Sequence, residues 1–505
     1  IISRRAESRK NANPRKLTGI SVVQFPKRPV DRKNKRITLS NMRIYLLALG
    51  CKLNQSEMDA LARQFLAAGH EIVPDIKEAD VCILNTCTVT HIASRKSRQA
   101  LRRLRRANGS AFLVATGCYA EISPREIEAL GDVDMIVGNN DKERLLAILS
   151  SRIAGLSSAA PVDLAAQKAG PYSSVSPRTR AFVKIQDGCD NACTYCIVAK
   201  ARGAAVSKPQ EQVLDEIRAR LEDGYKEIVL TGVHIGAYGH EWGASLTGLV
   251  QKILAETVVP RLRLSSIEPW DFSDNLLALW CDPRLCRHLH LPLQSGCDAT
   301  LQRMGRRYTT RQYAEIVAAT KAAVPALAIT TDIIVGFPGE TDAEFAASLE
   351  FVRRQEFARL HVFPYSLRPD TPAAAMPNQI APEVKEMRGK AMRQAGREGM
   401  RRFQERFLGS VLSVLWENQV AAQGPSHFPV WRGLTDNYIP AFVESDRSLA
   451  NMILPARLMA LRADGVWAEP QGVASFAVDG QVMVYYQPIA DHKSGKDYYP
   501  EQEEL

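Results

Sequence analysis

The sequence predicts an α/β protein with three successive folded regions. Its 505 residues exceed what one hydrophobic core usually organises, so about three domains are expected. Short apolar runs alternate with helical stretches up to about residue 405, which is typical of parallel sheets covered by helices. Beyond that point the runs follow one another without long helical intervals. We therefore expect two parallel α/β regions followed by a small β-barrel.

The first folded region is predicted over residues 42–150. Its strand-like runs are RIYLLALG, VCILNT, FLVATG and DMIVG, separated by helical stretches such as residues 57–69. A basic extension punctuated by Pro and Asn precedes it over residues 1–41, and this composition is typical of disorder. Residues 1–36 hold twelve Lys and Arg against two acids, which equals the whole net charge of +10. The folded regions are therefore close to neutral.

The second folded region is predicted over residues 181–405, after a linker rich in Ser, Ala, Pro and Gly over residues 151–180. Its strand-like runs are FVKIQ, EIVLTG, RLRLSS, HLHLPL, AITTDIIVG and RLHVFPY. Helical stretches, such as residues 210–224, 311–324 and 341–355, separate several of them. A β/α repeat of about six units predicts a partial barrel with its active site at the carboxyl ends of the strands.

The third folded region is predicted over residues 406–487, after a long basic helix over residues 382–407. Its runs SVLSVLWEN, YIPAFVES and ARLMALRADGVWAEP predict a small β-barrel, and residues 488–505 form an acidic tail predicted to be disordered. The chain has no long apolar stretch and no secretory pattern, so we expect a cytoplasmic protein without a membrane span. In a reducing compartment, clustered thiols more often bind metals or do chemistry than form disulfides.

Three cysteines with C-x₃-C-x₂-C spacing follow the first strand of the predicted barrel, in the stretch QDGCDNACTYC. These are Cys189, Cys193 and Cys196. A structural zinc site needs four ligands, and the nearest downstream histidine is His234. Three thiolates suit a [4Fe-4S] cluster whose fourth iron stays open to another ligand. The spacing favours such a cluster over zinc or inert cysteines.

A second set of three cysteines, Cys51, Cys87 and Cys118, follows three different strands of the first region. Carboxyl ends of parallel strands share one edge of a sheet, so these residues can converge there on a second cluster. The alternative is that each thiol packs as a small apolar group. We prefer that alternative, or a position near the surface, for the other thiols, which are Cys82, Cys281, Cys286 and Cys297.

The stretch RKSRQALRRLRR predicts a strongly basic helix. Seven cations in twelve residues repel one another unless a polyanion lies nearby, so we expect this helix to bind RNA phosphates. The alternative is a solvated helix face. The cations are Arg95, Lys96, Arg98, Arg102, Arg103, Arg105 and Arg106.

The C-x₃-C-x₂-C loop after a first barrel strand resembles that of the radical S-adenosylmethionine (SAM) enzymes. Two three-cysteine sets followed by a small barrel resemble their methylthiotransferase branch, whose last domain is called TRAM, over about residues 42–486. The motifs GCKLNQSE, NTCTVT, RKSRQ, LTGVHIGAYG, LSSIEPWDF and LHLPLQSG are most similar to members acting on N6-threonylcarbamoyladenosine in tRNA. Two positions depart from the usual pattern: Ala199 replaces a common Pro, and Val206 replaces an Arg.

The resemblance implies two [4Fe-4S] clusters and SAM as cofactors, with transfer of a methylthio group to C2 of the adenosine at tRNA position 37. It implies that SAM is cleaved at the Cys189 cluster and that sulfur is methylated at the Cys51 cluster. Gly232 would face the methionine part of SAM, with Asp332 and Gly336 on the opposite wall, although Gly336 equally suits a turn. The implied partners are the tRNA anticodon stem-loop, an unidentified sulfur donor and an electron donor such as flavodoxin or ferredoxin.

Three alternatives stay open at this point. The chain could act on isopentenyladenosine or a ribosomal protein, although TGVHIGAYG and SSIEPWDF argue against both. It could be a radical SAM enzyme with one cluster and structural N-terminal cysteines. It could also be a zinc or iron–sulfur RNA-binding protein without catalysis.

Overall fold

The computed structural model describes residues 23–24, 41–154, 179–423 and 428–471. Most of the predicted N-terminal extension, the middle of the predicted linker and the predicted tail lie outside the described residues, so those expectations stay predictions. Among the helices of the described part, none combines the length and the apolar character needed to cross a membrane.

The N-terminal region is a parallel α/β layer structure. Its strands are β1 (Val23–Gln24), β2 (Arg43–Ala48), β3 (Glu71–Ile72), β4 (Val81–Thr86), β5 (Phe112–Gly117) and β6 (Met135–Ile136). Its helices are α1 (Lys52–Ala67), α2 (His91–Ala107), α3 (Cys118–Ile122), α4 (Pro124–Leu130) and α5 (Leu145–Ala154). The sheet order is β1-β6-β5-β4-β2-β3, parallel except for β1. Every residue of β4 and β5 is buried, which explains their largely apolar sequences.

The central region is a partial barrel of parallel strands, which confirms the predicted α/β class. Its strands, with a small hairpin, are β7 (Arg180–Lys184), β8 (Gln186–Asp187), β9 (Val206–Ser207), β10 (Glu227–Thr231), β11 (Arg261–Leu264), β12 (His288–His290), β13 (Ala328–Val335) and β14 (Arg359–Pro364). Its helices are α6 (Val198–Arg202), α7 (Gln210–Glu222), α8 (Leu246–Glu256), α9 (Asp274–Leu277), α10 (Asp298–Arg303), α11 (Thr310–Ala323), α12 (Asp342–Gln355) and α13 (Pro382–Glu405). Two three-stranded sheets, β11-β10-β7 and β12-β13-β14, are joined by parallel bridges such as Ser266 with His290.

Side chains alternate between the two faces of the barrel strands. Val183, Leu230 and Ile333 belong to the large apolar core that the surrounding helices share. Residues one position away therefore face the lumen, because successive side chains of a strand point to opposite faces. Glu227 at the start of β10 and Arg263 of β11 lie in this second set, and they form a buried salt bridge with Arg263 Nε 2.7 Å from Glu227 Oε1.

The C-terminal region is a closed barrel of five strands, which confirms the predicted small β-barrel. The strands are β15 (Val411–Gln423), β16 (Pro429–Thr435), β17 (Pro440–Glu444), β18 (Ile453–Arg462) and β19 (Gly465–Pro470), in the order β15-β16-β17-β19-β18. It packs under the amino ends of the central strands, where Arg180 Nε lies 2.7 Å from Glu417 Oε1. Arg263 Nη1 also donates to the carbonyl of Asp436 at 3.1 Å. The carboxyl ends of the central strands are thus left to the N-terminal region.

Candidate active site

The loop with Cys189, Cys193 and Cys196 is closed at its base by the hairpin of β8 and β9. Gly188 has φ +67°, and a Cβ there would lie 1.9 Å from the carbonyl oxygen of Ala204, so only glycine fits this turn. The N–H of Cys189 donates to the carbonyl of Gly203 at 3.0 Å, and that of Cys196 donates to Cys193 at 3.1 Å. The loop therefore holds all three thiols close together after the first barrel strand.

These thiols act on one another electrostatically. Burial, together with the nearby Cys193 and Cys189, raises the pKa of Cys196 to about 11. Burial also raises the pKa of Cys193, against the lowering effect of Arg306, whose Nη1 donates to its Sγ at 3.4 Å. Thiolates at this loop are unfavourable without positive charge among them. The donor set therefore fits a cationic iron–sulfur core, which would displace the thiol protons on binding.

The second trio lies at one edge of the N-terminal sheet. Cys51 precedes α1, Cys87 follows β4 and Cys118 begins α3. The three strands before them are adjacent and in register, since Ala48 pairs with Asn85 and Thr86 pairs with Gly117. The parallel topology therefore brings the three cysteines together, as the sequence predicts.

Side-chain geometry at this edge is tight. Gly50 has φ +93°, and a Cβ there would lie 2.6 Å from Cys87 Sγ, so glycine is required for the close approach of the two loops. Burial raises the pKa of Cys87 to about 12, and Cys51 and Cys118 contribute to the rise. The three thiols thus share one buried site with the same chemistry as the first trio.

The spacing of both trios differs from that of a single metal ion. A tetrahedral zinc ion holds sulfurs about 3.8 Å apart, given Zn–S bonds of about 2.3 Å. Within the described residues, one set of three metal-binding side chains has donor atoms within 4.8 Å of one another, and it is His290, Asp332 and His361. Neither cysteine trio in the described residues is that compact, so their spacing does not match three ligands of one zinc ion.

A buried ionic contact connects the two cysteine sites. Arg202, in the helix after the Cys189 loop, reaches α1 of the N-terminal region, where its Nη1 donates to Glu57 Oε1 at 2.8 Å. Its Nη2 donates to Asn54 Oδ1 at 2.6 Å. Lys142 Nζ donates to the other carboxylate oxygen of Glu57 at 2.6 Å. We call Glu57, Lys142 and Arg202 the clasp.

The clasp is almost completely shielded from water, with side-chain exposures of 7% for Glu57, 3% for Lys142 and 2% for Arg202. Burial alone would raise the pKa of Glu57, but Lys142 and Arg202 hold it well below its usual value. Arg202 also lies 3.0 Å from Asp187 Oδ1, two residues before Cys189. The clasp therefore fixes the first cysteine loop relative to the helix that follows Cys51.

The loop after β14 makes a second connection, on the Cys87 side. Arg368 donates to Thr88 Oγ1 at 2.5 Å and to Ser94 Oγ at 3.2 Å. The backbone N–H of His91 donates to Ser366 Oγ at 2.9 Å. The cysteine edge of the N-terminal sheet thus faces the carboxyl ends of the barrel strands, and both trios border the same space.

The residues predicted to face SAM lie in three different settings. Gly232 directly follows β10, and a Cβ there would lie 2.8 Å from the carbonyl of Gln186 at the base of the cysteine loop. Gly336 has φ +70°, lies against Lys385 of α13 and donates its N–H to Glu340 Oε2 at 2.7 Å, so it is a turn glycine. Asp332 faces the lumen. Contact of these residues with SAM stays a prediction.

Sequence reasoning missed several side chains that support the first trio. Arg306 is buried over the ring of Trp270, 4.7 Å from its centre, and pairs with Glu268 while it donates to Cys193. His234 Nε2 lies 2.5 Å from Asp271 Oδ2. Burial lowers the pKa of His234, but hydrogen bonds with Asp271 and Cys189 outweigh this and raise it to about 10. The motif SSIEPWDF contains three of these partners, although its spacing alone does not indicate their role.

The basic helix predicted to bind RNA is α2, and its cations divide into two groups. Arg105 is held by two hydrogen bonds: its Nη2 lies 2.5 Å from Asp134 Oδ2, and its Nε donates to the carbonyl of Asp132. This side chain therefore supports the fold. Arg98 bonds to Tyr119 and Glu126. The exposed cations are Arg95, Lys96, Arg102, Arg103 and Arg106. The helix begins four residues after Cys87, so Arg95 and Lys96 lie nearest the second trio, and the other exposed cations lie two to three turns further along.

Replacing Arg95, Arg102, Arg103 and Arg106 together with Ala is expected to weaken tRNA binding and to flatten its dependence on salt. Each lost phosphate contact removes counterion release, and the slope of log K against log salt falls by about 0.7 to 0.9 per contact. Binding is measured at several salt concentrations. Arg401→Ala, exposed on α13, serves as the control. An unchanged slope in the fourfold variant would make α2 an ordinary solvated helix.

Comparison with known proteins agrees with this architecture. Residues 43–138 match the family described as Uncharacterized protein family UPF0004, and residues 183–352 match the Radical SAM superfamily. The structure of the radical SAM methyltransferase TsrM from Kitasatospora setae, with tryptophan and a SAM analogue bound, has a TM-score of 0.50 at 16% identity. That likeness covers 77% of this chain and 80% of TsrM, and concerns the fold alone.

Two curated relatives cover most of the chain. The threonylcarbamoyladenosine tRNA methylthiotransferase MtaB of Bacillus subtilis is 36% identical over 81% of this chain and 92% of its own length. The tRNA-2-methylthio-N(6)-dimethylallyladenosine synthase of Maricaulis maris is 33% identical over 77% of this chain and 90% of its own length. The chain therefore belongs to the methylthiotransferase family of the radical SAM enzymes.

Proposed function

We propose that this protein adds a methylthio group to C2 of N6-threonylcarbamoyladenosine at position 37 of tRNA. The observation that carries the proposal is the placement of two three-cysteine sites on a common space, held together by the clasp. One site follows the first strand of the partial barrel, as a SAM-cleaving site requires. The other site lies on the sheet edge opposite and is available to hold sulfur.

The proposed reaction explains why the chain has two separate sites of three cysteines each. C2 of adenine carries an unactivated C–H bond, which no side-chain base can deprotonate near neutral pH. A [4Fe-4S] cluster at Cys189, Cys193 and Cys196, with SAM bound, would supply a 5′-deoxyadenosyl radical when reduced. A second cluster at Cys51, Cys87 and Cys118 would hold the sulfur that becomes the methylthio group. We expect a one-electron donor of the flavodoxin or ferredoxin type.

The chain's own side chains hold and tune these sites. Arg306 donates a hydrogen bond to Cys193, and the backbone N–H of Val198 donates to Cys196 Sγ at 3.4 Å. Such donors stabilise negative charge on cluster sulfur, which raises the reduction potential. The clasp and the Arg368 contacts keep the two sites at a fixed separation. Positioning of this kind matters because small displacements of reacting groups cost large factors in rate.

The substrate side of the proposal rests on RNA geometry and on motif similarity. The nucleotide next to the anticodon lies in a loop, so its base can leave the stack and enter a pocket at low cost. The exposed cations of α2 extend along the helix from the second trio, with Arg95 and Lys96 nearest to it, and can contact the loop phosphates. The terminal barrel packs at the far end of the central strands, and its predicted contact with RNA stays a prediction.

Dimethylallyladenosine, which is the isopentenyladenosine named above, is the competing substrate. Relatives with either substrate in their names have similar identity to this chain. The motifs TGVHIGAYG and SSIEPWDF favour threonylcarbamoyladenosine. We therefore expect a deletion strain to accumulate threonylcarbamoyladenosine lacking its methylthio group, while methylthiolated dimethylallyladenosine is unchanged. Mass analysis of tRNA nucleosides checks this, with the wild-type gene restored as control. Loss of the dimethylallyl derivative instead would show the competing substrate to be the right one.

A further inference from the structure

A hydrogen-bonded polar cluster lines the barrel lumen, with His290 at the carboxyl end of β12 and with Asp332 and His361 near the middle of β13 and β14. His361 Nδ1 lies 3.0 Å from Asp332 Oδ1, and His290 Nε2 lies 3.3 Å from the same oxygen. His290 Nδ1 is in turn 2.8 Å from Thr330 Oγ1. The two imidazole rings and the carboxylate come from β12, β14 and β13 respectively, so the sheet itself fixes their arrangement.

This cluster borders open space and does not belong to the closed bottom of the lumen. The bottom is filled by the Glu227–Arg263 salt bridge, whose side chains are 0% and 1% exposed. By contrast the side chains of His290, Asp332 and His361 are 12%, 24% and 30% exposed. A molecule entering from the carboxyl ends of the strands would therefore meet them.

One hydrogen-bonding atom of the cluster is turned away from its partners. With Nδ1 donating to Asp332, the imidazole of His361 has Nε2 at the opposite side of the ring. Among the described residues, none forms a hydrogen bond with that nitrogen. Asp332 holds His361 in a fixed orientation, which is how a carboxylate commonly orients an imidazole toward a ligand.

Lys52 is the first residue of α1, at the cysteine edge of the N-terminal sheet that faces the carboxyl ends of the barrel strands. Lys52 directly follows Cys51, and its charge lowers the pKa of His288, which is buried beside Thr330, although burial and Arg263 contribute more. Within the described part of the chain, no carboxylate forms an ion pair with Lys52. Lys52 thus provides an ammonium group, and His361 an oriented imidazole, to the space between the two cysteine sites.

These groups match one of the two competing substrates. A dimethylallyl group has no polar atom and would leave the ammonium and the imidazole without partners, which is costly in a closed site. A threonylcarbamoyl group carries a carboxylate, a hydroxyl and a urea carbonyl. We propose that Lys52 and His361 bind the threonyl part of the substrate, with Lys52 on its carboxylate and His361, held in place by Asp332, on its hydroxyl.

The inference rests on the proposed function and makes Lys52 and His361 specificity-determining residues. The test uses the full-length, anaerobically reconstituted protein with three anticodon stem-loop RNAs. Their base at position 37 is threonylcarbamoyladenosine, dimethylallyladenosine or unmodified adenosine. Dissociation constants are measured for the wild type, Lys52→Gln, His361→Phe and His361→Gln. Lys390→Gln, which removes an exposed charge from α13, is the matched control.

We expect Lys52→Gln and His361→Phe each to weaken binding of the threonylcarbamoyl RNA by about tenfold or more, equivalent to about 1.4 kcal/mol. Binding of the unmodified RNA should change less than twofold. His361→Gln keeps a side-chain carbonyl that can accept a hydrogen bond from the hydroxyl, and it should recover part of the loss. Because Lys52 adjoins Cys51, the His361 variants test the proposal independently of the second cysteine site.

Two results would overturn the inference while leaving the proposed function intact. One is an equal loss of affinity for all three RNAs, which would make these residues general RNA contacts. The other is a divalent ion in the wild type that His361→Phe loses, because the three donor atoms could instead hold a metal. If the wild type itself binds and modifies the dimethylallyl RNA in preference, the proposed function fails first, and that outcome is visible without any variant.

Discussion

Replacing Cys87 with Ala is expected to stop methylthiolation of tRNA while SAM cleavage stays measurable. Cys87 belongs to the N-terminal trio, so its loss would remove a proposed iron ligand from the site that would hold sulfur. The loop with Cys193 is untouched and can still bind its own cluster. Cys193→Ala should instead abolish formation of 5′-deoxyadenosine altogether. Both products are quantified in parallel by mass spectrometry.

Iron content tests the metal-binding role of each cysteine site independently of activity. The wild type should bind about eight irons with a similar amount of sulfide, because each trio suits one four-iron cluster, and either variant should retain about four. Cys281→Ala, at an exposed thiol, should match the wild type. Stoichiometric zinc with little iron, or wild-type methylthiolation by Cys87→Ala, would contradict the two-cluster assignment.

Glu57→Gln is expected to lower the free energy of unfolding by about 3 to 5 kcal/mol, because it leaves Lys142 and Arg202 buried without their shared carboxylate. The effect should depend on pH with a definite sign. The folded protein holds the pKa of Glu57 well below its usual value of 4.5, so its carboxylate stabilises the fold above that pH. The stabilisation should fade as the pH falls below about 4.5 toward the folded-state pKa. Urea unfolding between pH 3 and 7 measures it.

A matched surface pair gives the control for this prediction. Arg401 and Glu405 form an exposed ion pair one helical turn apart, at 3.0 Å, and Arg401→Ala should change stability by less than about 0.5 kcal/mol. If Glu57→Gln costs no more than this control, the clasp does not hold the two regions together. A large cost that is the same at pH 3 and pH 7 would point to packing and not to charge.

The sequence alone determined the architecture and both sets of thiols. Strands such as β4 and β5 are buried on both faces, so their sequences are nearly continuous apolar runs. Such runs can be recognised without a structure. Cys51, Cys87 and Cys118 could be grouped because each follows such a strand and parallel strands end at a shared edge. The spacing of Cys189, Cys193 and Cys196 is local and needs no tertiary information.

Only the tertiary structure decided which groups surround those thiols. Arg202 and Glu57 are 145 residues apart, and nothing in either segment indicates that they meet. The same holds for His361 and Asp332, which share the lumen because β13 and β14 pair in register. Arg105 shows the reverse case. Its place in a basic helix predicts RNA binding, but its side chain forms an ion pair with Asp134. Periodicity and spacing act over one element, whereas these contacts depend on how elements pack. The sequence therefore indicates the candidate ligands, and the fold decides which side chains surround them.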